Sequence, residues 1–396
     1  MNILYLTPFN PLERDGGGFL RSAYLWKVLK NVADVDTVVF TPCATNLKDN
    51  INRVWSAYGN ARKSKLRFNI IKFLSVLFKK MDWLYYDEQR IREILGCGDK
   101  KYDFVVVRYE YVAMDTAAWK IAPVYCDFDD LPSEVFWTIK SKGMIFWKRV
   151  VHYFLERFFE QYIARQCKGI WISNPNHVRL FESATNVCCL RNVGTEPSSS
   201  YSISRASSQE KKLMIIGAVG YKPNCEGINW FLDNIWKFVS LKHPALKLDI
   251  VGRIPASMAH CAGQWQRYKG VRVCGFVENL DDAYRKTICT VAPIRSGSGT
   301  CVKVIEAAMF GRMTLATPFA CRGLSKEDLR KLGISLFSNA CDFECALSKI
   351  LSMESDDVKR HEEEIMKYAN ARYSMEGFAA AVNNLLPLDA KHSILM

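Results

Sequence analysis

The sequence predicts an α/β fold of two doubly wound domains, each a parallel sheet covered by helices on both faces. Three observations predict it. The length of 396 residues suits two domains. Short apolar segments alternate with helical segments in both halves, and a serine-rich break separates the halves. Because such sheets bind ligands at the carboxyl ends of their strands, we expect a cleft there, between the two domains.

The first half of the chain consists of repeated strand–helix units. It opens with a strand over Ile3–Leu6 and a helix over Phe19–Asn31. Short apolar segments predict the further strands Asp36–Thr41, Asp103–Val107, Ala122–Cys126 and Gly169–Ile172. Apolar residues at helical spacing predict a helix over Ile145–Ile163, and the regularity of that stripe predicts that it is buried against the sheet.

A break in composition follows, because Thr195–Lys212 holds seven serines and Pro197 and lacks apolar periodicity. We therefore place an N-terminal domain at residues 1–196, a linker at 197–210, a C-terminal domain at 211–370, and a helix over 371–396 that packs back on the first domain. The predicted strands of the second domain are Leu213–Ile216, Leu246–Val251, Val271–Cys274, Ile288–Pro293 and Met313–Thr317. Its predicted helices include Glu226–Ser240, Cys301–Phe310 and Glu354–Leu386, and Gly311 suits a helix end with positive φ.

Composition excludes several classes of protein. Charged residues at 24% and aromatic residues at 12% are ordinary for a packed enzyme and exclude a disordered chain. No apolar run reaches the roughly 20 residues of a membrane-spanning helix, and the first residues lack the features of a signal peptide, so we expect a cytoplasmic protein. The fourteen cysteines include no Cys-x-x-Cys pair and predict neither a zinc site nor a disulfide framework.

The charge is basic, with 54 Lys and Arg against 41 Asp and Glu, a net charge of +13. It is concentrated locally in Lys48–Lys80, which holds nine basic residues, one acid and a short aromatic-rich apolar stretch. Such a segment fits the surface of an anionic membrane, which would place the protein at the inner face of the cytoplasmic membrane. A core helix with a solvated basic face is the alternative. No nucleic-acid recognition motif accompanies the charge, so we expect no nucleic-acid partner.

The most informative stretch is Val291–Glu306, where a strand ends at Pro293, a loop of glycines and hydroxyls follows, and a helix begins near Thr300. Glycines let the backbone approach a ligand, and the free N–H groups of a helix start bind phosphate. Lys303 and Glu306 are three residues apart and therefore neighbours on the helix. Either they meet the phosphate and the sugar hydroxyls of a ligand, or they form an ion pair on a capped helix.

These and further residues resemble family 4 (group 1) glycosyltransferases of the GT-B fold, in their Gly-Ser-Gly-Thr subgroup. The motifs that carry the resemblance are Ile215–Leu232, Leu248–Arg253, Cys274–Val277, Gly297–Thr300 with Glu306–Gly311, and Ala316–Leu324. Weaker similarities in the first half are Thr7-Pro-Phe, Asp15–Gly18, Asp127–Glu134 and Arg191–Gly194.

The resemblance implies a hexosyltransferase-like enzyme that moves a sugar, with retention, from a UDP- or GDP-sugar to a glycan or lipid-linked acceptor in cell-surface polysaccharide or glycoconjugate synthesis. It implies two Rossmann-like domains, no cofactor and a donor held mainly by the second domain. Glu306 would accept the ribose hydroxyls, and Ser298–Thr300 would meet the diphosphate. The donor-binding residues it implies are Gly17, Gly18, Arg253, Gly275, Phe276, Arg295, Gly297, Ser298, Gly299, Thr300 and Cys301.

Two positions depart from the family pattern. Ser298 stands where the family commonly has a glutamate, eight residues before Glu306. Gly217-Ala218 replaces the usual Gly-Arg, which leaves Lys222, Lys303, Arg253 and Arg295 as the available cations, of which we favour Lys303 with Lys222. Because an oxygen of the donor phosphate can accept the proton of the acceptor, the reaction requires no side-chain base.

The acceptor side is predicted in the first domain, at Arg108, Glu110 and Asp127. Asp127-Phe-Asp129 has the spacing of a metal-binding Asp-x-Asp, but it ends a strand far in sequence from the donor loop, so we predict no metal. The rival functions are a non-catalytic nucleotide-sugar-binding partner of another transferase, an epimerase of the same fold, and a phosphorylase with a lysine-bound pyridoxal cofactor.

Overall fold

The structure is a computed structural model, and it describes residues 1–12, 17–41, 53–56, 86–138, 146–181, 186–203, 211–297 and 300–387. The chain divides into two compact units. Unit 1 comprises Met1–Arg191 with Ala379–Met396, and unit 2 comprises Asn192–Phe378. Most of the basic segment Lys48–Lys80, like Ser298 and Gly299 of the predicted donor loop, lies outside the described residues.

Unit 1 is built on a parallel sheet of seven strands in the order β3-β2-β1-β4-β5-β6-β7. The strands are β1 (Asn2–Thr7), β2 (Asp34–Thr41), β3 (Arg53–Ser56), β4 (Phe104–Arg108), β5 (Val124–Asp129), β6 (Gly169–Ile172) and β7 (Val187–Cys189). The α-helices are α1 (Gly17–Val32), α2 (Glu88–Leu95), α3 (Glu110–Thr116), α4 (Pro132–Thr138), α5 (Phe146–Gln166) and α6 (Pro175–Val178), with 3-10 turns at Ala118–Lys120 and Arg179–Phe181. The residues of β4 and β6 are buried throughout, as expected of strands with helices on both faces.

Unit 2 has a parallel sheet of six strands in the order β10-β9-β8-β11-β12-β13. The strands are β8 (Lys212–Ile216), β9 (Lys247–Val251), β10 (Val271–Gly275), β11 (Cys289–Ala292), β12 (Thr314–Ala316) and β13 (Ile334–Leu336). The α-helices are α7 (Lys222–Phe231), α8 (Lys237–Lys242), α9 (Ala259–Trp265), α10 (Leu280–Arg285), α11 (Val302–Met309), α12 (Lys326–Lys331), α13 (Ala340–Ser352) and α14 (Ser355–Tyr373). The last helix, α15 (Met375–Leu385), begins in unit 2 and continues in unit 1. Shorter turns lie at Leu232–Trp236 (π), Ala256–Met258 and Pro318–Cys321.

The predicted fold class is confirmed, because both sheets are parallel and both reverse strand order beside the first strand of the unit, at β1–β4 and at β8–β11. The predicted helix ends are less accurate. The stretch Glu354–Leu386 is two helices, because Ser374 has extended backbone between α14 and α15. Gly311 has the expected positive φ, +70°, just after α11. Among the described residues, every helix is too short or too polar to cross a lipid bilayer.

The prediction that the apolar stripe of α5 is buried is wrong for one side of the helix between Phe146 and Phe158. Phe159, Tyr162 and Ile163 are buried, whereas Phe146, Val151, Phe154 and Phe158 are exposed. The helix is apolar on two faces, and periodicity alone does not show which face meets the sheet. The inner face is fixed by Glu160, whose carboxylate accepts hydrogen bonds from the backbone N–H (2.9 Å) and hydroxyl (3.0 Å) of Ser133 on α4.

Candidate functional site

Three glycines lie at or just after the carboxyl ends of neighbouring strands in unit 2. Gly217 follows β8, Gly252 follows β9, and Gly275 ends β10, and all three have positive φ. The Gly252 N–H donates to the Gly275 carbonyl (2.8 Å), and a Cβ on Gly252 would lie 2.0 Å from the Gly217 carbonyl oxygen. The ends of β8 and β9 are too close for a side chain on Gly252, and the three glycines together leave a surface of bare backbone.

Lys303 lies over this surface. It is in the first turn of α11, whose N-cap is Cys301. A Cβ on Gly217 would lie 2.0 Å from Cε and 3.1 Å from Nζ of Lys303, so the side chain packs directly on the glycine. The first turn of a helix also has backbone N–H groups without intrahelical partners. The end of β8 therefore combines an ammonium group, a helix start and bare backbone, which together suit an anion.

Glu306, one turn further along α11, is held from two sides. Thr195 Oγ1 donates to its Oε2 (2.6 Å), and the Tyr284 hydroxyl donates to its Oε1 (2.8 Å). The predicted alternative of an ion pair with Lys303 is not formed between these two described residues. A carboxylate has about four acceptor positions, so positions remain on Glu306 for a ligand.

Tyr284 is suited to its role as a donor. Burial, and next the neighbouring Glu306 carboxylate, raise the pKa of Tyr284 well above its ordinary value, so the hydroxyl keeps its proton. The ring stacks on Phe310, with centroids 4.2 Å apart. Gly194, in the predicted Arg191–Gly194 motif, approaches the same helix so closely that a Cβ there would lie 2.5 Å from Met309 Cγ. The chain before Thr195 is thus fixed against α11.

Arg322 is a cation that the sequence analysis did not single out, although it lies in the quoted motif Ala316–Leu324. It lies near Gly297 of the donor loop, whose φ is +119°. A Cβ on Gly297 would lie 3.7 Å from Nη2 of Arg322 and 3.2 Å from the hydroxyl of Tyr221. The guanidinium stacks over Phe319 at 4.2 Å, and Nη1 donates to the Phe319 carbonyl at 2.9 Å. Arg322 is therefore positioned beside the loop predicted to contact the diphosphate.

The other predicted cations lie elsewhere in unit 2. Lys222 begins α7, is exposed, and lies 3.6 Å from the Glu226 carboxylate in a surface pair. The Arg295 guanidinium lies 4.5 Å from the ring centroid of Trp230. Of the predicted cations in the described part of the chain, Lys303 is the one that contacts a strand-end glycine.

The residues predicted near ribose and base lie at the ends of β9 and β10. The Arg253 guanidinium lies 5.5 Å from the ring centroid of Phe276. Phe276 follows Gly275 directly and is exposed. The pair presents an aromatic face with a cation beside it, which suits stacking by a planar ring. Thr300 and Cys301 precede α11, and Cys301 is buried.

In unit 1 the carboxyl ends of β4 and β5 carry charges that are already paired. Nε and Nη2 of Arg21 donate to the two oxygens of Asp127 (2.8 and 2.9 Å), and Nη1 of Arg108 donates to Asp127 Oδ2 (2.6 Å). Nη2 of Arg108 also donates to Asp129 (3.2 Å), which has a positive φ of +57°. Burial raises the pKa of Asp127, but the two guanidiniums outweigh it and hold the pKa below its ordinary value.

This pairing bears on the residues predicted for the acceptor side. Arg108, Asp127 and Glu110 are all buried. Gly18, in the first turn of α1, packs so tightly that a Cβ would lie 2.7 Å from the ring of Phe9, and Gly17 begins the helix. A role of these residues toward donor or acceptor stays a prediction. In the described part of the chain, no group of three or more His, Cys, Asp or Glu side chains is placed to hold a metal ion.

Comparison with known proteins agrees with the geometry. Residues 210–352 match the model of the family described as Glycosyl transferases group 1. Among curated proteins, none matches the sequence significantly.

Several solved structures share the fold over nearly the whole chain. Sucrose-phosphate synthase from Thermosynechococcus elongatus is 14% identical, with a TM-score of 0.67 and coverage of 97% of this chain and 98% of that one. HepE of Anabaena, solved in complex with UDP, is 12% identical, with a TM-score of 0.62 and coverage of 97% and 99%. WaaG, a glycosyltransferase involved in lipopolysaccharide biosynthesis, is 14% identical, with a TM-score of 0.61 and coverage of 97% and 100%.

At such low identity these structures show the fold alone, and the sequence match to the group 1 glycosyltransferases covers residues 210–352. Unit 2 resembles the group 1 glycosyltransferases in sequence, and the chain is a glycosyltransferase of the GT-B type.

Proposed function

We propose that the chain transfers a sugar, with retention of anomeric configuration and without a metal ion, from a UDP- or GDP-sugar to a glycan or lipid-linked acceptor. The observation that carries the proposal is Lys303, whose ammonium lies against Gly217 beside the start of α11. As the sugar leaves, negative charge develops on the nucleoside diphosphate. A fixed cation and helix-start N–H groups stabilise that charge.

Breaking the donor bond and forming the acceptor bond require no catalytic group of the protein beyond those that stabilise the diphosphate. The bond between the anomeric carbon and the diphosphate oxygen breaks, and a bond to the acceptor hydroxyl oxygen forms. The hydroxyl proton passes to an oxygen of the departing diphosphate, so the atoms balance without a side-chain base. The protein's task is to hold the diphosphate and to stabilise the charge that develops on it.

Ala218 stands where the family usually has an arginine, and we propose that Arg322 supplies the positive charge that is missing there. In the proposal the guanidinium of Arg322, held on Phe319 beside Gly297, meets the diphosphate together with Lys303. The loop Gly297–Thr300 contributes backbone N–H groups, and Lys222 contributes more distant positive charge. Arg322 thus replaces the missing arginine from a different strand end.

In the proposal the nucleoside is held by Glu306 of α11 and by the residues that follow β9 and β10. Glu306 accepts the ribose hydroxyls with the acceptor positions that Thr195 and Tyr284 leave open. The base stacks near Phe276 and Arg253 at the ends of β10 and β9. That HepE, a protein of this fold, was solved in complex with UDP supports a nucleoside diphosphate as ligand.

We further propose that the reaction serves cell-surface polysaccharide or glycoconjugate synthesis at the inner face of the cytoplasmic membrane, with the basic segment Lys48–Lys80 drawn to anionic lipid. The involvement of WaaG, which shares the fold, in lipopolysaccharide biosynthesis supports this pathway class.

The test measures release of nucleoside diphosphate from UDP- and GDP-sugars by the purified chain, with and without acceptor. Lys303→Met is expected to lower kcat/KM by about 10²–10³-fold, the usual loss when one stabilising donor is removed. Arg322→Met is expected to lower it by about tenfold or more, because a charged hydrogen bond is worth about 1.5–3 kcal/mol. The matched control is Lys326→Met, at an exposed position on α12.

The rival functions give different results in the same assay. Full activity of Lys303→Met would show that the site is wrongly assigned. Donor binding without turnover would indicate a non-catalytic partner, and release of free sugar without acceptor would indicate an epimerase. Visible absorbance from a lysine-bound pyridoxal group would indicate a phosphorylase.

A further inference from the structure

Helix α5 has an apolar face turned to solvent between Phe146 and Phe158. Its large apolar side chains range from 49% exposed at Phe158 to 71% exposed at Trp147. Soluble proteins expose single apolar residues everywhere, but a contiguous apolar patch usually marks a contact surface. The outer face of α5 is defined here by Phe146, Trp147, Val151, Phe154 and Phe158.

The five residues are neighbours on the helix. Trp147, Val151, Phe154 and Phe158 follow one another at intervals of four, three and four residues, so they line up along one side. The rings of Phe146 and Trp147 are 6.0 Å apart. The half-exposed Trp137 of α4 extends the apolar surface, with Arg149 of α5 placed 5.5 Å from its ring centroid.

The charges around this face are almost entirely basic. Lys148 and Arg165 of α5 are exposed, and the exposed Lys168 follows the helix. Both acids of the helix, Glu156 and Glu160, are buried on the opposite side. Glu134 of α4 is a half-buried acid nearby. The helix therefore offers aromatic rings and cations to solvent and keeps its own carboxylates inside.

We propose that the outer face of α5 lies in the headgroup region of an anionic membrane. Tryptophan and phenylalanine insert at that depth, while lysine and arginine beside them meet lipid phosphates, and both kinds of group are present on this face. A second copy of the chain is a poorer partner, because two such faces would bring like charges together. The inference deepens the membrane location proposed above and rests on it for the choice of lipid, but it assigns the contact to a different segment of the chain from Lys48–Lys80.

Vesicle co-sedimentation of the full chain tests the proposal, with phosphatidylcholine vesicles that contain or lack phosphatidylglycerol. The test variants are Trp147→Ser with Phe154→Ser, and separately Lys148→Glu with Arg165→Glu. Each pair is expected to weaken binding to the anionic vesicles by about tenfold or more, since each removes either apolar insertion or electrostatic attraction. The matched control is Phe238→Ser with Leu241→Ser, an exposed apolar pair on α8 of unit 2.

The outcomes separate the explanations. Weaker vesicle binding by the test variants, with control binding, circular dichroism and transfer to a water-soluble acceptor unchanged, supports the proposal. Equal binding by all variants overturns it and leaves Lys48–Lys80 as the membrane contact. A wild-type chain that binds no vesicle overturns it as well, and the transfer reaction still stands if turnover persists. A wild-type dimer that becomes monomeric in Trp147→Ser with Phe154→Ser would show that a second copy covers the face.

Discussion

Both units place charged side chains at the carboxyl ends of their parallel strands, but they use them in opposite ways. In unit 1, Arg21 and Arg108 are buried and paired with Asp127 and Asp129 at the ends of β4 and β5. In unit 2, Lys303 crosses bare glycine backbone at the end of β8. The carboxylate of that region, Glu306, is held by neutral hydroxyl groups instead of by a cation.

The difference shows how one fold can use charged residues to stabilise one unit and to form a binding site in the other. The ion-paired cluster of unit 1 is called the brace below; it consists of Arg21, Arg108, Asp127 and Asp129. A charge whose partner lies within the protein has little left to offer a ligand, and removing the partner destabilises the unit. A cation over bare backbone, beside a helix start, still gains by meeting an anion. The two sites both contain charged residues, and they differ in whether those charges are already paired within the protein.

The largest expected effect comes from breaking the brace with Asp127→Asn. It leaves two buried guanidiniums with one fewer carboxylate, so unfolding free energy should fall by about 3–5 kcal/mol. Urea unfolding followed by circular dichroism measures it. The control is Asp34→Asn, which removes an exposed partner of Lys100 and should change stability little. Equal effects of the two substitutions would show that the cluster is not a brace.

The same substitution should change the response to acid. The lowered pKa of Asp127 means that its pairing stabilises the folded unit above the ordinary aspartate pKa, about 4. This contribution is lost as the pH falls through the lowered pKa. Asp127→Asn should therefore flatten the decrease in stability over that acidic range, whereas Asp34→Asn should leave most of it.

A smaller effect is expected from placing a methyl group under Lys303 with Gly217→Ala. The new Cβ would lie 2.0 Å from Lys303 Cε, at a φ of +145° that L-residues rarely adopt, which costs about 1–3 kcal/mol. Displacement of the ammonium should lower the transfer rate by about tenfold or more. Gly263→Ala is the control, because its Cβ meets no atom within 4 Å. Unchanged transfer by Gly217→Ala would show that the ammonium acts from another position.

Much of the fold follows from local sequence, because a short apolar segment in a sheet covered on both faces is recognisable by itself. The strand Gly169–Ile172 is found at its predicted bounds, and the glycine after α11 has the predicted positive φ. The buried face of α5 was not predictable in this way, since the helix is apolar on two sides. Only the packing of α4 and the sheet against it decides which side is covered.

The site was predictable only where its residues are close in sequence. Lys303 and Glu306 stand on one turn of α11, and spacing brings them together. Thr195 and Tyr284 reach Glu306 from 111 and 22 positions away, and no local pattern connects them. Arg322 was equally hidden, because its place beside Gly297 depends on how the strand β12 neighbours β11 in the sheet.

The smallest effect is expected from Tyr284→Phe, which removes one of the two neutral hydroxyl groups that donate to the Glu306 carboxylate. The variant keeps the ring on Phe310 but loses one of the two hydrogen bonds that fix the carboxylate, which itself remains. The donor KM should therefore rise about fivefold, about 1 kcal/mol of donor binding, with kcat nearly unchanged. Tyr201→Phe is the matched control, because its hydroxyl donates to the Phe310 carbonyl (2.9 Å) and makes no contact with Glu306. Adding Thr195→Val to Tyr284→Phe should raise the KM further. An unchanged KM in the double variant would mean that the donor does not depend on a carboxylate fixed by neutral hydroxyls, and the contrast with the ion-paired cluster of unit 1 would lose its functional meaning.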